Sequence, residues 1–528
     1  MRLIKTHSLG LEDFTGCKVP PYAILSHTWE TREVTCHDLL DLGARTTLSK
    51  KDMRKIREIC RIAAADKYDY VWIDSCCIDK SNNTELAEAI NSMFQWYANA
   101  AVCYAYICDY VFCPPISTAT FGSARWFNRG WTLQELIAPA NVKFYDINWT
   151  LFGTKRSLQR ELSAITGIDK AVLSSNTPDE IRSLIAKTTV SKKMSWAAGR
   201  QTTREEDLAY CLLGIFDVNM PLLYGERSKA FSRLQEEIIK NTNDLTLFAW
   251  QAAVGDDQQL DANQHTTSSL VHYRGVLASH PNEFADTSGI TGTYENKINP
   301  EFSLTNKGLR INASLQRCAN GHFFIPLNCY DDNSPSRSLG IYLEYRGSGT
   351  YVRAHPDILP LQENGPLLDP NIIYITKHMA ETTMNSRNQV YLNALVFNIK
   401  LERWPVQFVS VEPESLWQHE QRMFVTYGTQ NFIGVLHFIA KDWVSYPNHH
   451  QTSRFVVACG LSEKSPRPWI TIDHEEKEIG ETRETSFWAG KTDYFTVKVL
   501  VEHGLFEGFP AFRVHIRAEW RRVKCIVM

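Results

Sequence analysis

Glu135 stands four residues after Trp131 in the stretch Ala124-Arg-Trp-Phe-Asn-Arg-Gly-Trp-Thr-Leu-Gln-Glu-Leu-Ile-Ala-Pro139. The pattern predicts one helix, stopped by Pro139, because proline cannot continue a helix and restricts the residue before it. Leu133, Leu136 and Ile137 fall on one side and face a core. Trp131, Gln134 and Glu135 share the other side, which a large aromatic would not normally leave wet. A carboxylate on a covered face is a candidate catalytic group. A Glu solvated beside a Trp under a loop is the plainer alternative.

Other groups with chemical potential cluster at predicted strand ends. Ser26, His27 and Trp29 close or follow the apolar run Tyr22-Ala-Ile-Leu-Ser26, and Asp74, Cys76 and Asp79 follow Tyr70-Val-Trp-Ile-Asp74. Cys76 or Cys77 with His27 and Asp74 or Asp79 would suit a cysteine hydrolase, given a thiolate within reach of the imidazole. Strand-end Asp and Ser residues also cap turns, so each alone has a structural reading.

Positioning these groups requires alternating elements. Strands are predicted near 22–26, 70–74, 102–107 and 142–145. Between them come a helix from Ser49 to about Ala65, with Met53, Ile56, Cys60 and Ala63 on one face, and a second begun by Asn82 and Glu85. Its apolar stripe is Leu86, Ile90, Met93, Phe94 and Tyr97. This alternation implies right-handed crossovers and a mainly parallel sheet, in which ligands bind beyond the carboxyl ends of the strands.

Composition sets limits. The 528 residues are 44% hydrophobic and 22% charged, with a net charge of -3, as expected of a soluble protein of several domains that does not bind nucleic acid by bulk charge. No signal peptide or membrane span is expected, which makes the cytoplasm the default. Thirteen cysteines without C-x-x-C pairs predict reduced thiols and no zinc site. Gly490-Lys-Thr492 lacks the P-loop spacing, since position 485 is Thr.

Residues 150–200 suggest loops and short helices. Arg204 to Phe216 and Glu226 to about Lys240 predict two amphipathic helices, and Leu245 to Trp250 the start of extended structure. From about 270 the period becomes two: Leu309, Ile311, Ala313 and Leu315, then Phe495, Val497, Val499 and Val501, then Phe512, Val514, Ile516 and Ala518. These point to an antiparallel sandwich or barrel. The expected division is 1–150, a helical extension 151–250, and a β-rich part 251–528, with 251–268 as the boundary. His449-His450 reads as a solvated loop pair, because neighbouring side chains in a strand point to opposite faces.

Three ordered motifs, Tyr22-Ala-Ile-Leu-Ser-His-Thr-Trp29, Asp69-Tyr-Val-Trp-Ile-Asp-Ser-Cys-Cys-Ile-Asp79 and Arg129-Gly-Trp-Thr-Leu-Gln-Glu-Leu136, resemble the fungal heterokaryon incompatibility (HET) domain. Residues 202–216 and 220–226 resemble the segment C-terminal to that domain in many members, so the resemblance spans roughly the first 250 residues. It implies non-self recognition and regulated cell death, with self-association or another incompatibility protein as partner. Some relatives carry a nucleotide-binding oligomerisation module and propeller repeats, neither of which is visible here. The C-terminal half resembles no family.

HET domains in turn distantly resemble TIR domains, which have a flavodoxin-like sheet. Several TIR proteins cleave NAD between nicotinamide and ribose with a Glu in a Trp-x-x-x-Glu setting on a helix after the third strand. Trp131 and Glu135 match that spacing, and Ser26-His27 resembles the polar end of the first TIR strand. The resemblance implies Glu135 as catalytic carboxylate, Trp131 or Trp29 stacking a substrate ring, and Arg129 contacting the diphosphate. NAD would then be a substrate rather than a resident cofactor. Other TIR domains are scaffolds, which keeps a non-catalytic module acting by homotypic assembly in view.

Overall fold

The computed structural model describes residues 1–30, 32–40, 53–252, 273–292, 299–318, 322–332, 334–346, 349–362, 367–379, 394–400, 406–419, 422–425, 432–441, 452–462, 465–473, 487–491, 495–506 and 509–520. Two compact units divide the chain, one comprising 1–342 and 353–372, the other 343–352 and 373–528.

One sheet of the first unit has seven strands: β1 (Arg2–Lys5), β2 (Leu11–Asp13), β3 (Ala23–His27), β4 (Tyr70–Trp72), β5 (Val102–Tyr106), β6 (Val142–Tyr145) and β7 (Leu151–Thr154). Their order is β2-β1-β4-β3-β5-β6-β7. The four inner strands β4, β3, β5 and β6 pair in parallel. They are the strands the apolar runs predict, and β3 and β5 are buried along their whole length, as strands covered on both faces must be. The sheet is mixed, because β1, β2 and β7 add antiparallel edges. In β2 the only three residues are Leu-Glu-Asp, too short and polar for a periodic signal.

Among the four parallel strands the chain fills β3 first, then β4 on one side and β5 on the other. The direction of winding therefore reverses between β3 and β5, the place where open α/β sheets bind ligands. Ser26 pairs with Ala105 and His27 with Tyr106 there, at the carboxyl ends of both strands.

Helix Arg54–Ala65 buries Ile56, Cys60 and Ala63 as its spacing predicts, while Ser49 lies outside the described residues. Helix Asn83–Asn99 is capped by Asn82, whose side chain accepts from the amides of Thr84 and Glu85. Glu85 does not close a capping box. It accepts from the Asp79 amide at 2.9 Å and pairs with Arg2.

The predicted helix 124–139 is two pieces, Arg125–Asn128 and Thr132–Ile137. Arg129 is extended (φ −86°, ψ 133°) because it bridges to Gln201, whose carbonyl also accepts from the Gly130 amide at 2.9 Å. Backbone pairing with a distant segment overrides local helix propensity here. A Cβ on Gly130 would lie 2.6 Å from Thr202 Cγ2, so only glycine permits this approach. Thr132–Ile137 has no wet face: all six residues are buried.

Further corrections fall in the segment after β7. Residues 204–216 form two short helices, Asp207–Tyr210 and Leu213–Phe216, in place of one. Leu245–Phe248 is a buried 3-10 turn capped by Asp244, not extended structure. The predicted helix after Glu226 begins at Lys229 and ends at Asn241. Of the boundary candidate 251–268, residues 253–268 lie outside the described residues, as does the pair His449-His450. The first unit continues well past 250. Buried Arg353 donates to the Phe248 carbonyl at 3.0 Å and to that of Trp250, with its guanidinium 3.7 Å from the centre of the Trp250 ring.

The second unit is β-rich. One sheet carries the strands Ala394–Lys400, Phe509–Trp520, Phe495–Phe506 and Phe487–Lys491 in that order. The other carries Val406–Glu412, Phe432–Lys441, Thr452–Ser462 and Ser465–Asp473. Leu395, Phe512, Val514 and Ile516 of the first share a core with Leu436, Phe438, Phe455 and Val457 of the second, the interdigitation expected of a sandwich. Within these two sheets the described residues pair antiparallel except between Ala394–Lys400 and Phe509–Trp520, which run parallel. Gly490 and Lys491 end a strand, and Thr492 lies outside the described residues.

Candidate functional site

Two connected clusters occupy the carboxyl ends of β3, β4 and β5. The inner one is Ser26, Trp126 and Glu135. Ser26, near the end of β3, is fully buried; its hydroxyl donates to Glu135 Oε2 at 2.5 Å and accepts from Trp126 Nε1 at 2.8 Å. Residues 100 or more apart in sequence are thereby fixed to one another. Tyr97, whose hydroxyl donates to the Leu25 carbonyl at 3.0 Å, also lies beside this carboxyl.

Glu135 is 7% exposed. Burial pushes its carboxyl up to about 8; the Asp74 charge adds to this, and Ser26, Arg129 and Tyr97 oppose it. Beneath it, buried Arg200 donates to the Arg129 carbonyl at 2.9 Å and to Thr132 Oγ1 at 3.1 Å. Lys155, buried from β7's end of the sheet, donates to the carbonyls of Ile137 and Pro139 at 2.9 and 2.8 Å, which satisfies the end of the Glu135 helix.

The outer cluster is built on Asp74, just past the end of β4. Oδ1 meets His27 Nε2 at 3.0 Å, and Oδ2 accepts from Trp29 Nε1 at 3.0 Å and Lys80 Nζ at 3.3 Å. Burial alone would raise the Asp74 carboxyl, but Lys80 and His27 outweigh it and hold it well below the usual carboxylate range. Lys55 donates to His27 Nδ1 at 3.1 Å. Ammonium cannot accept, so Nδ1 carries the lone pair and Nε2–H points at Asp74. Trp29 is 37% exposed, with the Lys80 ammonium 3.5 Å above its ring and Arg129 at 5.6 Å. Arg129 links the clusters, since its charge also acts on Glu135.

Of the predicted residues, Ser26, His27, Trp29, Asp74, Arg129 and Glu135 come together in this way. Three do not join by direct contact. Trp131 bonds Asp207 at 3.4 Å and anchors the covering segment. Asp79 caps a turn through the Ser81 amide and hydroxyl at 2.9 and 2.6 Å. Cys76 donates to the Val34 carbonyl at 3.2 Å, and burial pushes both its thiol and that of Cys77 upward. A thiol so placed is no nucleophile, and His27 is engaged by Asp74 and Lys55. Trp126, Lys55, Lys80 and Arg200 join the site without any signal of their own in the sequence. Trp126 lies within the 124–139 stretch, yet nothing local shows that its indole would reach Ser26.

Among the described residues no three His, Cys, Asp or Glu side chains are grouped to hold a metal ion, and no helix is long and apolar enough to cross a membrane. The thiols of the described residues are all free.

Residues 22–110 match the heterokaryon incompatibility protein (HET) family, and residues 229–311 match a domain of unknown function (DUF8212). Over 260 residues the chain is 44% identical to the vegetative incompatibility protein HET-E-1 of Podospora anserina, an alignment covering 46% of this chain and 18% of that protein. No solved structure matches. The motif residues around Ser26, His27, Trp29 and Asp74 fall inside the family match.

Proposed function

We propose that the chain is a heterokaryon incompatibility effector whose HET domain is a TIR-like module that cleaves NAD at the nicotinamide–ribose bond, with Glu135 as the catalytic carboxylate. The supporting observation is the Ser26–Glu135 pair: a carboxyl buried and oriented where the winding of the parallel strands reverses. The inner order β4-β3-β5-β6 is the 2-1-3-4 order of flavodoxin-like sheets, in keeping with that relationship. Burying a carboxyl costs stability that packing alone would not require.

In the reaction the C–N bond electrons leave with the nicotinamide nitrogen, and positive charge develops on the ribose. Ionised Glu135 stabilises that charge, water adds to the anomeric carbon, and ADP-ribose, nicotinamide and a proton result. Trp29, the exposed aromatic, stacks a substrate ring, while Arg129 and Lys80 over its face suit the diphosphate. Because Glu135 is nearly covered and Trp29 is exposed, substrate enters from the Trp29 side. The approaching charge then favours ionisation of a group that rests largely protonated near pH 7.

The effector acts in the cytoplasm, triggered through self-association or another incompatibility protein. Incubating the purified full chain with NAD and following nicotinamide tests the reading. Release is expected. A protein that kills on expression but leaves NAD intact would instead be a non-catalytic assembly module.

A further inference from the structure

A cavity of about 1140 Å³ lies in the first unit between helix Asn83–Asn99, the segment 182–193 and helix Leu213–Phe216. No residue of the Glu135 site lines it. Phe94, Ile185 and Phe216 give it apolar walls, and Lys193 stands in its lining. Lys193 is only 9% exposed, with its ammonium 4.8 Å from the centre of the Phe216 ring. Among the described residues that ammonium has neither a hydrogen bond nor an ion pair.

The nearby carboxylates do not serve as its partner. Asp244 spends both oxygens on backbone amides, Oδ2 on Val190 at 2.8 Å and Oδ1 on Thr246 at 2.9 Å. Asp217 is exposed at the turn ending its helix. A nearly buried cation with neither hydrogen bond nor ion pair is costly, and a cavity that combines apolar walls with a few placed polar and charged groups is how small-ligand sites are built.

We propose that this cavity binds a small anionic ligand with a planar apolar body, its carboxylate or phosphate seated on Lys193 and its body against Phe94 and Phe216. The site is independent of NAD cleavage. Arg182 and Lys187, exposed in the same lining, add positive charge at the rim. Burial draws the Lys193 ammonium down to about 8, against the opposing charges of Asp244 and Asp217. Arg182, Lys187, Asp217 and Asp244 are the other charged groups in the lining, and affinity falls as pH rises through about 8.

The test uses the full chain and the anionic aromatic dye anilinonaphthalene sulfonate, followed by fluorescence and calorimetry. One saturable site is expected. Lys193→Met should weaken it about tenfold or more, as losing a charge-assisted contact does, and Lys193→Arg should largely retain it. Asp217→Asn, at an exposed position, should tighten it, which keeps the test decisive if Lys193→Met does not fold. Displacement by phenyl phosphate rather than benzoate would assign the natural head group as phosphate, and the reverse as carboxylate. Dye binding that none of the three substitutions changes, or that neither competitor displaces, would overturn the proposal.

Discussion

Asp74 and Glu135 carry the same functional group, and the Asp74 charge reaches Glu135, yet their surroundings drive them in opposite directions. Asp74, its side chain 22% exposed, is met by His27, Trp29 and Lys80 and stays ionised. Glu135 has the Ser26 and Tyr97 hydroxyls and the charge of Arg129, but burial outweighs them and pushes its carboxyl up to about 8. Two acids separated in this manner divide the work of a site: one holds structure and potential, the other has a charge that can change. Cations, not depth alone, make the difference.

The largest expected effect is on Glu135 itself. Glu135→Gln keeps volume and an acceptor oxygen but removes the charge; losing one preorganised electrostatic contact costs about 3–4 kcal/mol, or a hundredfold or more in NAD turnover. Stopped-time measurement of nicotinamide release checks it. Gly130→Ala attacks the cover instead. Forcing a Cβ against Thr202 and Cys211 should destabilise the fold by about 1–3 kcal/mol in urea denaturation and loosen the seal over Glu135.

The pH dependence of stability should differ in sign between the two acids. Glu135, raised in the fold, contributes stability that is complete below about 4.5 and is lost as pH rises through about 8. The slope is at most about 1.4 kcal/mol per pH unit, and Glu135→Gln should remove it. Asp74, depressed in the fold, contributes stability above its unfolded value near 3.8, lost as pH falls further. Asp74→Asn should therefore flatten only the acid limb of a melting-temperature profile. Smallest of all, Cys76→Ala should change turnover less than about twofold, since a buried thiol held by a carbonyl does no chemistry. A large loss there would revive the cysteine hydrolase.

Much of this comparison is legible in the sequence. Val, Ile, Tyr and Trp runs mark the four inner strands, because strands buried on both faces must be apolar throughout. Ser26, Asp74 and Glu135 can be assigned to strand ends and a following helix on that basis. The burial of Glu135 cannot, since it depends on Gln201 pairing with Arg129 and on Trp126 reaching Ser26, contacts that no local spacing encodes. Arg200 and Lys155 are invisible for the same reason: each looks like a surface cation until its carbonyl partners are known. The edges β2 and β7 are too short for a period to show.

The most direct test of the central claim is the pH profile of nicotinamide release by wild-type protein and Glu135→Gln, from about pH 6 to about 9. If Glu135 is the ionising catalytic carboxylate, wild-type kcat/KM rises with pH and levels off above about 8, while Glu135→Gln stays low and flat. Equal release by both proteins at every pH, or none by either while killing persists, would contradict it.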